Sequence, residues 1–173
     1  MCSSDLEQLP GHFNVSLSWH PFELNPNMPE EGQNLADHVA EKYGSNPAQS
    51  RAVRDRLKSV GESLGFAFNY RDDTRIVNTF RAHQLLHWAR KEGRQTELKL
   101  ALFEAFFSRG EDVSQPEVLA AVAARAALPE HEARAVLAEL RFAEDVRTEQ
   151  YRWLHREVHA VPTFVFNKQF VVP

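Results

Sequence analysis

Near the end of the chain, Ala160-Val161-Pro162-Thr163-Phe164-Val165-Phe166-Asn167-Lys168-Gln169-Phe170-Val171-Val172 decides the reading of the fold. Two short runs rich in Phe and Val flank Asn167-Lys168, a pattern that predicts a β-hairpin with a two-residue turn. An X-Pro bond immediately before a strand, at the exit of a helix, is where a cis proline fixes a tight turn, so we expect Val161-Pro162 to be cis. The chain stops at Pro173, after a strand whose outer edge the remaining sequence cannot cover, and we read it as truncated there.

Working back from the hairpin, a helix is predicted over 144–158, carrying Val146, Trp153, Leu154 and Val158. From Asn34 to about Val158 the pattern is almost wholly helical. Helix starts are marked by Asn46-Pro47, by Asn78, by Ser114 with Glu117 as a capping box, and by Leu128-Pro129-Glu130. Gly44, Gly65, Gly93 and Gly110 mark the stops. Val53, Leu57, Val60 and Leu64 recur on one helical face and are expected to be buried. Phe80, Leu86, Ala89, Leu98, Leu102, Phe103, Phe106 and Phe107 form the most apolar stretch and the expected centre of a helical core. No internal repeat suggests a solenoid.

At the other end, Phe13-Asn14-Val15-Ser16-Leu17-Ser18-Trp19 alternates apolar and polar residues and is predicted as a strand with one buried face. His20 to Pro29 holds three prolines and is predicted as a loop leaving that strand. Met1-Cys2-Ser3-Ser4-Asp5-Leu6 fits neither pattern. A common sequencing-adapter end would translate as this hexapeptide, and we expect residues 1–6 to be an artefact.

The 173 residues are 43% apolar and 25% charged, with 20 basic against 24 acidic side chains and a net charge of -4. No dense basic block offers a footprint for nucleic acid or for an anionic membrane, so neither partner is expected. No apolar run reaches the roughly 20 residues that cross a bilayer, and a signal-peptide layout is lacking, so the expected location is cytoplasmic. Cys2 is the single cysteine. One cysteine forms no intramolecular disulfide, no CxxC and no thiolate zinc cluster.

Three motifs now stand in order. They are Trp19-x-Pro21-Phe22-Glu23-Leu24-Asn25-Pro26, then Asn78-Thr79-x-x-Ala82-His83, then Val161-Pro162-Thr163-Phe164. Together they resemble the DsbA-like thioredoxin-fold family over about residues 12–173. The subgroup most resembled is the FrnE-like dithiol-disulfide isomerases associated with polyketide biosynthesis. The resemblance implies an α/β thioredoxin-like fold split by an all-helical insertion. Residues 12–30 and 145–173 would form a partial thioredoxin-like domain and residues 31–144 the insertion. The family's first strand, its CxxC and most of its first helix would lie before Leu9, and a last helix beyond the hairpin, so the chain as given is expected to be predominantly helical and without the catalytic pair.

By the same resemblance, Val161 and Pro162 would form the backbone edge that holds a substrate strand, with Asn78 and His83 bordering the cleft. Asn78 also has a plain reading as a helix cap, and His83 as a satisfied surface histidine. A CxxC at a helix N-terminus has its first thiolate stabilised by the helix dipole, and exchange runs through a mixed disulfide. The implied partners are protein or small-molecule thiols and disulfides. No cofactor is expected.

Other constellations carry less. His83 with His87, and His155 with His159, have the one-turn spacing of a metal grip but lack the glutamate of HExxH, and no metal site is expected. Arg71-Asp72-Asp73-Thr74-Arg75 reads as a solvated charge cluster. Three functions follow. The first is a fragment of a thiol-disulfide oxidoreductase or isomerase, inactive as given. The second is glutathione chemistry of the kappa-like 2-hydroxychromene-2-carboxylate isomerase group, and the third is a non-catalytic helical interaction module. An upstream CxxC favours the first, a lone Ser or Cys there the second, and the absence of both the third.

Overall fold

A computed structural model describes residues 16–167 and 169–172. In chain order its elements are β1 (Gln33–Asn34), α1 (Leu35–Tyr43), α2 (Pro47–Ser63), β2 (Arg75–Ile76), α3 (Phe80–Lys91) and α4 (Gln95–Phe103). A π-helical turn (Glu104–Ser108) extends α4, followed by α5 (Pro116–Arg125), α6 (Glu130–Ala138), α7 (Ala143–Leu154), β3 (Phe164–Phe166) and β4 (Phe170–Val172).

Local chemistry explains most boundaries. Asn46 and Gln49 close a reciprocal capping box ahead of Pro47, the first residue of α2. Asn78 Oδ1 accepts the Phe80 N–H at the start of α3. The box expected from Ser114 and Glu117 does not form. Ser114 instead donates its hydroxyl to Asp112 at 2.6 Å, and Gln115 stands at the cap of α5. Gly44, Gly65, Gly93 and Gly110 all take positive φ, as a left-handed helix exit requires.

The core sits among α3, α4, α5 and α6. Leu85, Leu98, Leu119, Val122 and Val136 are wholly buried there, and the apolar period of each helix turns those residues inward. Ala89 and Leu102 join them, and Leu86 and Phe106 pack against them. Phe103 departs from expectation at 44% exposure. The Val53, Leu57, Val60 and Leu64 stripe does share a face, but no described element covers it and all four residues are exposed.

Strand structure departs from the pattern more widely. The expected strand 13–19 is only partly described: Phe13, Asn14 and Val15 lie outside the described residues, and 16–19 form no strand. The short antiparallel pair β1–β2, Gln33 opposite Ile76 and Asn34 opposite Arg75, interrupts the stretch read as continuous helix. Two-residue strands carry no period, so alternation could not reveal them. The C-terminal hairpin does form, Phe164 opposite Val172 and Phe166 opposite Phe170. That register leaves three residues between the paired phenylalanines, with Asn167 at φ 51°, where two were expected. The Val161-Pro162 peptide bond is cis. Helix α7 ends at Leu154, four residues before the expected limit.

Candidate functional site

The Trp19-to-Pro26 segment lies across α3, α4 and α7 and is tied to each. Among the described residues, the first turn of α4 supplies the hydrogen-bond partners of Trp19. The Gln95 carboxamide accepts the Trp19 N–H at 3.0 Å and donates to the Trp19 carbonyl at 2.8 Å. The indole N–H donates to Thr96 Oγ1 at 2.9 Å, and Lys99 Nζ sits 3.1 Å from the indole centroid. This explains why Trp19 is not in a ladder. Its two backbone groups, which a neighbouring strand would use, are consumed by one side chain.

One residue further on, His20 Nδ1 donates to Glu149 Oε1 of α7 at 2.5 Å. Arg90 Nη1 of α3 donates to the same oxygen at 3.0 Å, while His87 Nδ1 lies 3.6 Å from Oε2. Glu149 is 7% exposed. Burial alone would raise its pKa, but the bonds and charges of His20 and Arg90 outweigh burial and hold the carboxyl down to about 2. The His87 pKa is lowered as well, by a different cause: burial first, then the Arg90 charge, push it below its ordinary value against the pull of Asp145 and Glu149. Rings complete the junction, with His20 packed 4.7 Å from Trp153 and His87 5.1 Å from Phe142.

The third tie is at Glu23, 9% exposed, whose Oε2 accepts from Arg147 and, at 3.0 Å, from Gln150 Nε2, both of α7. The Arg147 guanidinium also lies 3.8 Å from the Phe80 ring centroid. His83 of α3 meets this group. Burial lowers its pKa, opposed by Glu23 and by the Phe22 backbone.

Asn78 donates to the Met28 carbonyl at 2.8 Å while its oxygen accepts from Phe80, so both ends of its amide serve the start of α3 and the proline-rich loop. His83 lies with Phe22 and Glu23. Val161 is 50% exposed and Pro162 is exposed, and Thr163 Oγ1 donates to the Ala160 carbonyl at 2.6 Å. Among the described residues no hydrogen bond, ion pair or ring contact joins Asn78 or His83 to Val161 or Pro162. Among the described residues no contact joins either one-turn histidine pair to a common side chain: Glu23 acts on His83, His87 lies near Glu149, and His155 bonds the Tyr151 carbonyl. No group of three His, Cys, Asp or Glu side chains among the described residues is placed to hold a metal ion.

A segment bound by motif residues to three helices, followed by a helical layer and a Val-Pro-Thr entry into a hairpin, invites comparison with known proteins. The profile of the DSBA-like thioredoxin domain matches residues 2–173. The chain belongs to the DsbA-like thioredoxin family. This DsbA-like chain is 23% identical over 156 residues to the uncharacterized protein YwbO of Bacillus subtilis strain 168, covering 89% of the chain and 73% of that relative. It also resembles the crystal structure of a probable DsbA oxidoreductase from Streptomyces coelicolor, with 30% identity and a TM-score of 0.78. That match covers 87% of this chain and 65% of the other, so the DsbA-like chain spans just under two thirds of that solved structure. Its fold is the helix-rich DsbA-like thioredoxin fold. Among its described helices none is long and apolar enough to cross a membrane.

Sequence reading missed Glu149, Arg90, His20 and Gln95 in this DsbA-like chain. A signal existed for Glu149, since Val146, Glu149 and Trp153 step by three and four and all three are buried. A carboxylate inside an apolar stripe announces a buried charge that must be paired.

Proposed function

We propose that this chain serves thiol-disulfide exchange, with the stretch from Val161 to Thr163 receiving a partner strand that carries the disulfide. The observation that carries the reading is the exposure of Val161 and Pro162, with half-buried Thr163 beside them, at the entry to a hairpin in a chain of the DsbA-like family. Main-chain groups leading into a hairpin strand can bond to an added strand, and this stretch leads directly into β3 at Phe164. His83 and Asn78 border the same cleft on this reading, and the subgroup is that of the dithiol-disulfide isomerases associated with polyketide biosynthesis. Protein thiols and disulfides are the partners, with glutathione as the small-molecule counterpart.

The chemistry sets a limit on the chain as given. A thiolate attacking a disulfide forms one S–S bond, breaks another and releases the departing sulfur as a thiolate. A second thiol must then attack the mixed disulfide, leaving the enzyme oxidised and the partner fully reduced. Cys2 is the single cysteine, so this chain supplies at most the first step. Insulin reduction tests the point. The purified chain is expected to give no turnover with dithiothreitol held at a level that is inert alone. Turnover that disappears in Cys2→Ser would contradict this limit to a single step.

A further inference from the structure

Helix α2 differs from the other described helices in two independent ways. Its apolar residues face solvent: Val53, Leu57 and Val60, with Leu64 just beyond, are 58, 42, 39 and 54% exposed. Only Gly61 of the helix is buried. Three of its four cations are also uncommitted. Arg51, Arg56 and Lys58 are exposed and make no ion pair among the described residues, while half-buried Arg54 acts on Tyr70. Nine other arginines each hold a carboxylate within 4.0 Å, and Arg75, Arg152 and Arg156 do not. Four cations against Asp55 and Glu62 make this helix positive in a chain of net charge -4.

We propose that α2 is a docking ridge for acidic, apolar-rich stretches of unfolded polypeptide. The proposal rests on the thiol-disulfide reading, because it names the class of polypeptide such a chain would engage, but it uses a different surface. Shape excludes a small molecule, since anchors at i, i+4, i+7 and i+11 form a convex ridge about 16 Å long with no cleft. Charge disfavours a second copy, since ridge on ridge would bring like charges together. Size disfavours a bilayer. A whole myristoyl chain binds membranes only marginally, and four part-exposed aliphatic side chains offer less apolar surface. A flexible chain can wrap a convex ridge, place apolar side chains along it and set carboxylates against the uncommitted cations.

The test uses fluorescence anisotropy with labelled, reduced and carboxymethylated α-lactalbumin as the acidic unfolded probe, and the same derivative of lysozyme as the basic one. The expected result is binding of the acidic probe at least about tenfold tighter than of the basic probe. Leu57→Ser with Val60→Ser, and separately Arg51→Glu with Arg56→Glu and Lys58→Glu, should each weaken it by about tenfold or more, with circular dichroism confirming that each variant is folded. Equal affinity for both probes, or affinity unchanged in either variant, overturns the proposal. So does concentration-dependent dimerisation lost in the serine variant, or binding to phosphatidylglycerol vesicles in place of the acidic probe. In a Cys2→Ser background, a Leu57→Cys thiol that resists maleimide shows the ridge already covered and equally overturns it. None of these readouts involves disulfide turnover, so a failure here is separable from a failure in the insulin assay.

Discussion

Gln95 stands in for a β-strand beside Trp19. Its carboxamide meets both the N–H and the carbonyl of that residue, at 3.0 and 2.8 Å, as a neighbouring peptide would, and so anchors the motif segment to α4. Gln95→Leu removes both partners and leaves two part-buried backbone groups unsatisfied. The expected loss is about 2–3 kcal/mol in urea unfolding, with tryptophan emission shifted to the red as Trp19 gains solvent. Unchanged stability and emission would show that the anchor is ornamental.

Glu149 makes its contribution to stability sensitive to acid pH. With its folded pKa near 2 against an ordinary 4.5, its contribution is fully present above 4.5 and lost as pH falls toward 2. Glu149→Gln should cost about 3 kcal/mol at pH 7 and flatten the pH dependence of stability over that window. A variant that retains the parent's acid profile would refute the junction's role.

His87 acts in a higher window. Because burial and Arg90 depress its pKa below 6.5, the unfolded chain binds the proton more readily. The associated stability is present above pH 6.5 and declines as pH falls below it. His87→Gln should therefore lose less stability than the parent between pH 7 and 5, as measured by thermal melts. Identical pH slopes would place the titration elsewhere.

How much of this was legible depended on the length of each signal. The helices of the core declared themselves through sustained apolar periods and through Asn46, Pro116 and the exit glycines. The hairpin was visible in its Phe and Val runs, but its register was not, because one residue more or less between strands leaves the composition unchanged. The stripe on α2 was read as core because periodicity shows which residues share a face and says nothing of whether anything packs on that face. The site was the least legible. His20, Arg90 and Glu149 are 59 to 129 residues apart in sequence, and only tertiary packing brings them to one carboxylate.

Gly61 supplies a packing test. A Cβ there would come within 2.5 Å of the Phe66 carbonyl oxygen and 2.6 Å of the Phe68 ring. Relief requires moving backbone. Gly61→Ala should destabilise by about 1–3 kcal/mol despite its better helix propensity. A neutral or stabilising result would mean that 66–68 does not pack against α2 in solution.

On the function proposed above, the stretch from Val161 to Thr163 receives a partner strand. Backbone amide chemical shifts of the isotopically labelled chain, titrated with an extended peptide bearing a disulfide to a small thiol, test it most directly. Saturable shifts centred on Val161, Thr163 and Phe164 and extending to His83 are expected. Saturable shifts elsewhere that leave Val161 and Thr163 unmoved would contradict it.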